Sequence, residues 1–202
     1  MKLSTGGIVA ISIFGIIFLL VLIGVLTGVS SYNKLVSREE AVNTQWANVQ
    51  NAYQRRADLI PNLVATVKGA ANFETTTLTA VIEARAKATS VNIDPKNLDE
   101  TSLQKFQAAQ DGLSSALSRL MVVVERYPEL KATQNFSELQ AQLEGTENRI
   151  NVERRNFNEA AQAYNTYLRK FPNNIFAGMF GFSKKAYFEA QKGSETSPKV
   201  EF

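Results

Sequence analysis

An apolar run without a single charge extends from Ile8 to Val29, and it limits what this chain can fold into more than any other feature. At 1.5 Å per residue such a run makes about 30 Å of helix, the thickness of a bilayer's hydrocarbon core. A cleavable signal peptide has a shorter apolar stretch, about 7–15 residues, closed by a small-residue cleavage site. Leu26-Thr27-Gly28-Val29-Ser30-Ser31 offers no convincing site, and a chain without cysteine cannot carry a lipoprotein anchor. The expectation is a permanent single-pass membrane helix over 8–29, a short flank at 1–7, and a water-exposed remainder.

That remainder is about one domain long and can bury a core. Its charges are nearly balanced, 22 basic against 19 acidic residues in the whole chain, and the two signs are interleaved. This is a solvated helical surface and not the one-sided basic footprint of a nucleic-acid binder, so no nucleic-acid partner is expected. The absence of cysteine leaves no disulfide framework, and the absence of histidine removes the commonest metal ligand and general base. Glu39, Glu40, Glu125, Glu129 and Glu153 lack the Glu-x-x-His pairing of a di-iron bundle. No glycine-rich phosphate loop is present. No catalytic residue, metal or cofactor is therefore assigned, and the chain is not expected to be an enzyme.

Helical periodicity runs through the rest. Leu35, Val42, Trp46, Val49, Tyr53, Ile60, Leu63, Val67 and Ala70 recur at three, four or seven, which places them on one helical face. Ser37-Arg38-Glu39-Glu40 resembles a capping box unless the helix continues straight out of the membrane. Pro61 interrupts the pattern and predicts a kink, since it lacks an N–H. A first helix ends near Gly69-Ala70-Ala71-Asn72, and Leu78, Val81, Ile82 and Ala88 mark a second, unless the two form one rod. Asp94-Pro95 predicts a turn. Thr101-Ser102-Leu103-Gln104 would cap a third helix with a heptad seam at Leu103, Phe106, Gln110, Leu113, Leu117, Leu120, Val124 and Tyr127, stopped at Pro128. Asn135 would cap a fourth, with its seam from Phe136 through Leu139, Leu143, Ile150, Phe157, Ala161, Tyr164 and Leu168 to Phe171. The fold class is all-α: a membrane helix, then an antiparallel up-and-down four-helix bundle over 30–172 with its first helix kinked at Pro61, then an aromatic-rich tail over 173–202.

Several segments together resemble the LemA family: Tyr32-Asn33-Lys34-Leu35-Val36, Trp46-Ala47-Asn48-Val49-Gln50, and the stretch from Tyr53 through Arg55-Arg56-Ala57-Asp58 to Pro61-Asn62-Leu63-Val64. Ala84-Arg85-Ala86, Glu153-Arg154-Arg155, Ala163-Tyr164-Asn165, Phe171-Pro172 and Ala186-Tyr187-Phe188-Glu189-Ala190 extend the similarity over nearly the whole chain. The resemblance implies a bacterial single-pass membrane protein with its N-terminus outside, a four-helix bundle in the cytoplasm, and no established molecular activity. At Gly69-Ala70-Ala71-Asn72-Phe73-Glu74 this chain lacks the tyrosine and histidine that many relatives carry, so no role of that histidine transfers.

Three groups of residues stand out. Gln54, Arg55, Arg56, Asp58 and Asn62 form the densest polar cluster, beside Pro61; Arg56 falls on the seam, where it either pairs with a carboxylate of another helix or marks a notch for a partner. Gly24 and Gly28 have the spacing that lets two membrane helices approach closely. Phe176, Met179, Phe180, Phe182 and Tyr187, with Lys184-Lys185 among them, either cover the open end of the bundle or lie in the bilayer interface. The leading functional expectation is a non-enzymatic membrane-anchored interaction or scaffold module with an unidentified protein partner. The alternative is a membrane-organising protein that self-assembles into homo-oligomers. Lys34 and Arg38 against Lys2 lean towards a cytoplasmic bundle at the cell membrane.

Overall fold

The computed structural model describes residues 5–69 and 73–189. Among these every regular element is helical. They are α1 (Thr5–Lys68), α2 (Thr75–Ser90), a 3₁₀ turn at Pro95–Asn97, α3 (Glu100–Val124), α4 (Pro128–Lys131), α5 (Gln134–Arg169) and α6 (Asn173–Phe180). Residues Ala70, Ala71 and Asn72, where the first seam and the departure from the family pattern fall, lie outside the described residues, as does the tail beyond Glu189. The chain divides into two compact units, Met1–Ala41 with Gln162–Lys184, and Val42–Ala161 with Lys185–Phe202.

In the second unit the seams become a core. Ile60, Leu63 and Val67 of α1, Leu78 and Val81 of α2, Leu113, Leu117 and Leu120 of α3, and Phe136 and Leu143 of α5 form one buried apolar cluster. A second, aromatic cluster centres on Trp46, which is fully buried. Its ring stands edge-on to Phe106 at 5.2 Å and Phe157 at 5.7 Å, and stacks on Phe188 at 6.1 Å. Ile82 of α2 is half exposed, because only Leu78, Val81 and Ala88 fall on the inward face.

The helix ends differ from their sequence signatures. Asp99, not Thr101, caps α3: its carboxylate accepts from the Ser102 N–H at 2.8 Å and the Ser102 hydroxyl at 3.2 Å. Those bonds favour the ionised form and hold the Asp99 carboxyl below its usual range. At α5 the Thr133 hydroxyl accepts from the Phe136 N–H at 3.4 Å, so the start lies ahead of Asn135. No cap interrupts α1 at Ser37, because the helix is continuous from Thr5. Pro128 does not simply stop α3. It occupies the first turn of α4, where a missing N–H costs nothing.

Helix α1 also continues through Pro61. Proline there cannot donate to the carbonyl of Ala57, four residues back. That oxygen instead accepts from Arg85 Nε of α2 at 2.8 Å. A single rod running through residue 72 would separate positions 57 and 85 by about 40 Å, so the chain folds back between α1 and α2.

In the first unit α6 lies against α1. Phe176 covers Gly28, where an added Cβ would meet the ring at 3.0 Å. Tyr32 contacts Phe180 at 5.1 Å and Phe182 at 5.7 Å, and the Ser31 hydroxyl donates to Asn173 Oδ1 at 2.8 Å. Gly181, at φ +77°, closes α6. The Phe182 N–H bonds the Ala177 carbonyl and the Gly181 N–H that of Gly178, a Schellman motif that suits glycine in the left-handed region. The seam of α5 ends at Tyr164. Leu168 is half-buried and Phe171 is 80% exposed.

Candidate functional site

The polar cluster beside Pro61 does not converge on one surface. Arg56 points inward and is 2% exposed. Its Nη1 donates to Ser114 Oγ at 2.8 Å and Glu147 Oε2 at 2.9 Å, and its Nη2 to Gln110 Oε1 at 2.9 Å. Gln110 in turn donates to the Ala88 carbonyl at 3.2 Å. One guanidinium thus links α1 to α3 and α5 directly, and to α2 through one amide. Its face lies over Tyr53, 5.1 Å from the ring centroid. Burial raises the Tyr53 phenol pKa, with the charges of Arg154 and Arg56 opposing.

The other members are exposed and diverge. Gln54 donates to Asp58 on the same helix at 2.7 Å and lines a cavity of about 230 Å³ with Tyr53 and Thr89. Arg55 borders a different groove, about 570 Å³, between α1 and α5 with Arg149 and Glu153. There Glu153, 3% exposed, accepts from Arg149 Nε at 2.7 Å. Asn62 is exposed, and its carbonyl accepts from Thr66 Oγ1. A larger groove, about 730 Å³, lies elsewhere, where Ala65 and Thr66 of α1 face Tyr127, Glu129 and Leu130 around α4.

A latch that periodicity does not reveal is built from the chain's last described residues. Asn158 of α5 holds the backbone of Phe188 on both sides: its Oδ1 accepts the Phe188 N–H at 2.8 Å and its Nδ2 donates to the Phe188 carbonyl at 3.0 Å. Arg154 donates to the Glu189 carbonyl at 2.8 Å while its guanidinium covers the Phe188 ring at 4.8 Å. Gln107 donates to the same carbonyl at 3.1 Å, and the Ala186 N–H bonds the Leu98 carbonyl at 3.0 Å. The aromatic side chain drops between Trp46 and Phe157. The only available signal was the pair of sequence blocks around Arg154 and Phe188, and nothing in their spacing says that they meet.

The aromatic tail therefore serves two ends. Phe176 and Phe182 are partly covered within the first unit, and Met179, 73% exposed, and Phe180, 46% exposed, face outward there. Tyr187 and Phe188 belong to the second unit. Of the glycine pair, Gly28 is buried under Phe176 of its own chain, while Gly24 has open space at its Cβ position. In the same unit Arg38 donates to the Ala163 carbonyl at 3.2 Å and lies over the Tyr167 ring. The Tyr164 hydroxyl donates to the Ser183 carbonyl at 2.9 Å. Burial, reinforced by Glu39, raises the pKa of that phenol well above its ordinary value.

These features define a helical protein with, among the described residues, one helix long and apolar enough to cross a membrane. The sequence profile of the LemA family matches residues 45–202. The chain belongs to the LemA family. It is 26% identical to magnetosome protein MamQ 2 of Paramagnetospirillum magneticum over 212 residues, covering 96% of this chain and 77% of that protein. Magnetosome protein MamQ of Magnetospirillum gryphiswaldense is 25% identical, over 82% of this chain and 67% of its own length. Protein LemA of Metamycoplasma hominis is 25% identical, over 89% and 79%. The family and the apolar helix together mark a membrane-associated protein.

Proposed function

We propose that this is a single-pass membrane protein whose helical domain, an antiparallel four-helix bundle, is a non-catalytic interaction or scaffold module. The observation that carries the reading is how the buried polar side chains are used. Arg56 and Gln110 hydrogen-bond across helices, and buried Glu153 is braced along α5 by Arg149. They hold the architecture, and the grooves that remain at the surface are shallow helix–helix furrows suited to a peptide or helix. Arg55, on the α1–α5 furrow, is the member of the polar cluster best placed to meet a partner protein. A photo-cross-linking residue at Arg55 in the full chain, in native membranes, is expected to give a discrete adduct that contains a second, different protein. Only self-adducts would support the second reading instead.

That second reading, self-assembly on a membrane patch, is favoured by Gly24, which leaves an open small-residue position on the exposed part of α1. Under it, Gly24→Ile lowers the yield of cross-linked dimer in liposomes holding no other protein. The bundle is placed in the cytoplasm on the strength of Lys34 and Arg38 against Lys2. Ser4→Cys and Ser197→Cys, each in this cysteine-free chain, test that orientation with a membrane-impermeant maleimide on intact cells. Labelling at 4 alone agrees with it; labelling at 197 alone reverses it.

A further inference from the structure

The first unit carries an outward apolar stripe that none of the described residues covers, at a defined level along α1. Helix α6 contacts α1 from Gly28 to Tyr32, where the uncharged run Ile8–Val29 gives way to polar sequence. Ala177 and Phe176 face inward, so Ile175 and Met179, one helical turn apart, face outward at 52% and 73% exposure. Phe171, just before the helix, is 80% exposed. Large side chains left bare in this way signal a binding surface.

Charge says what covers them. Beyond the apolar run, the first unit exposes Lys34, Arg38, Arg169, Lys170 and Lys184, against two carboxylates, Glu39 and Glu40. A cationic collar around an apolar stripe, at the level where a membrane helix leaves the bilayer, matches an anionic lipid surface. We propose that α6 is an interfacial helix: Phe171, Ile175 and Met179 enter the headgroup–acyl boundary while the collar engages anionic phospholipid headgroups. The inference rests on reading α1 as a membrane anchor, and it separates the lipid-facing residues from Phe176 and Phe182, which pack on the protein.

The test uses the full chain in nanodiscs of phosphatidylcholine with phosphatidylglycerol. An environment-sensitive fluorophore is placed at Met179→Cys, at Ile175→Cys, and at Phe14→Cys within the apolar run. Lipids carrying a spin label near the headgroup should quench positions 175 and 179, and mid-chain spin labels should quench position 14. Replacing phosphatidylglycerol by phosphatidylcholine, or making Arg169→Gln, Lys170→Gln and Lys184→Gln together, should reduce quenching at 175 and 179 but not at 14. Quenching at 14 without any at 175 or 179 overturns the interfacial helix and leaves the anchor standing. No quenching at 14 defeats the anchor and the inference with it. Quenching at 179 that is indifferent to lipid charge overturns the anionic headgroup site. Efficient 179–179 cross-linking between copies, with no lipid quenching, assigns the stripe to a second copy and overturns the lipid reading.

Discussion

Arg85 Nε and the carbonyl of Ala57 lie 2.8 Å apart, and that carbonyl is the one Pro61 leaves without a helical donor. The arginine replaces the missing backbone bond and fastens α2 to α1 at the same point. Arg85→Ala should cost about 1–2 kcal/mol of stability. In a Pro61→Ala background, where the backbone can again serve Ala57, the same change should cost about 1 kcal/mol less. A double-mutant cycle by urea unfolding checks this, and simple additivity would show the two residues to be uncoupled.

Arg56→Ala should lower stability by about 2–4 kcal/mol, because Gln110 and Ser114 lose a buried donor. Glu147→Gln should cost far less, since the Glu147 side chain is 44% exposed and water can take over. Thermal unfolding followed by circular dichroism compares the two. A partner-binding role for Arg56 would instead need a variant that loses binding at an unchanged melting temperature.

Phe188→Ala should remove the latch's aromatic wedge at a cost of about 3–5 kcal/mol. Trp46 is the chain's one tryptophan and stacks on that ring, so its emission reports the loss directly. A red shift of the native-state spectrum is expected, together with earlier unfolding. An unshifted spectrum would mean that the cavity closes over.

Tyr53 and Tyr164 both have phenols raised above 10.0. Above that pH the unfolded chain loses protons that the folded chain retains, so stability must fall as pH rises. Well below pH 9 both phenols stay protonated in either state and contribute no slope. Unfolding free energy measured between pH 9 and about 11.5 should therefore decline, and less steeply in Tyr164→Phe. An identical slope in the variant would remove Tyr164 from the account.

Gly28→Val places a Cβ 3.0 Å from the Phe176 ring and should loosen α6 by about 1–3 kcal/mol. Limited proteolysis in the 170–184 region should quicken. Gly24→Val, facing open space, should leave that rate unchanged.

The parts of this fold that periodicity encodes are readable in the sequence, and the rest are not. Burial of Leu103, Phe106, Gln110, Leu113, Leu117, Leu120 and Val124 repeats with the helix, so the seam of α3 announces itself. Tyr127, one turn further, is only half-buried because the helix has already closed. Caps depend on a single side chain's torsions, and Asp99 competes with Thr101 two residues away for the same role. The latch is harder still. Asn158 recognises the backbone of Phe188, and a backbone carries no residue code. In the polar cluster, charge density marked the right neighbourhood, yet helical geometry turns Arg56 inward and sends Gln54 and Arg55 to separate furrows. Small side chains at Gly24 and Gly28 look alike in sequence; only the fold puts Phe176 over one of them.

The latch also sets an order of events during synthesis. The apolar segment of α1 leaves the ribosome well before Phe188, which completes the packing around Trp46. The apolar segment is thus exposed while the aromatic core is still missing a wall. Folding of the second unit finishes only after Phe188 has emerged. A chain that stops between α5 and Phe188 lacks the ring that stacks on Trp46, and the indole loses one side of its packing.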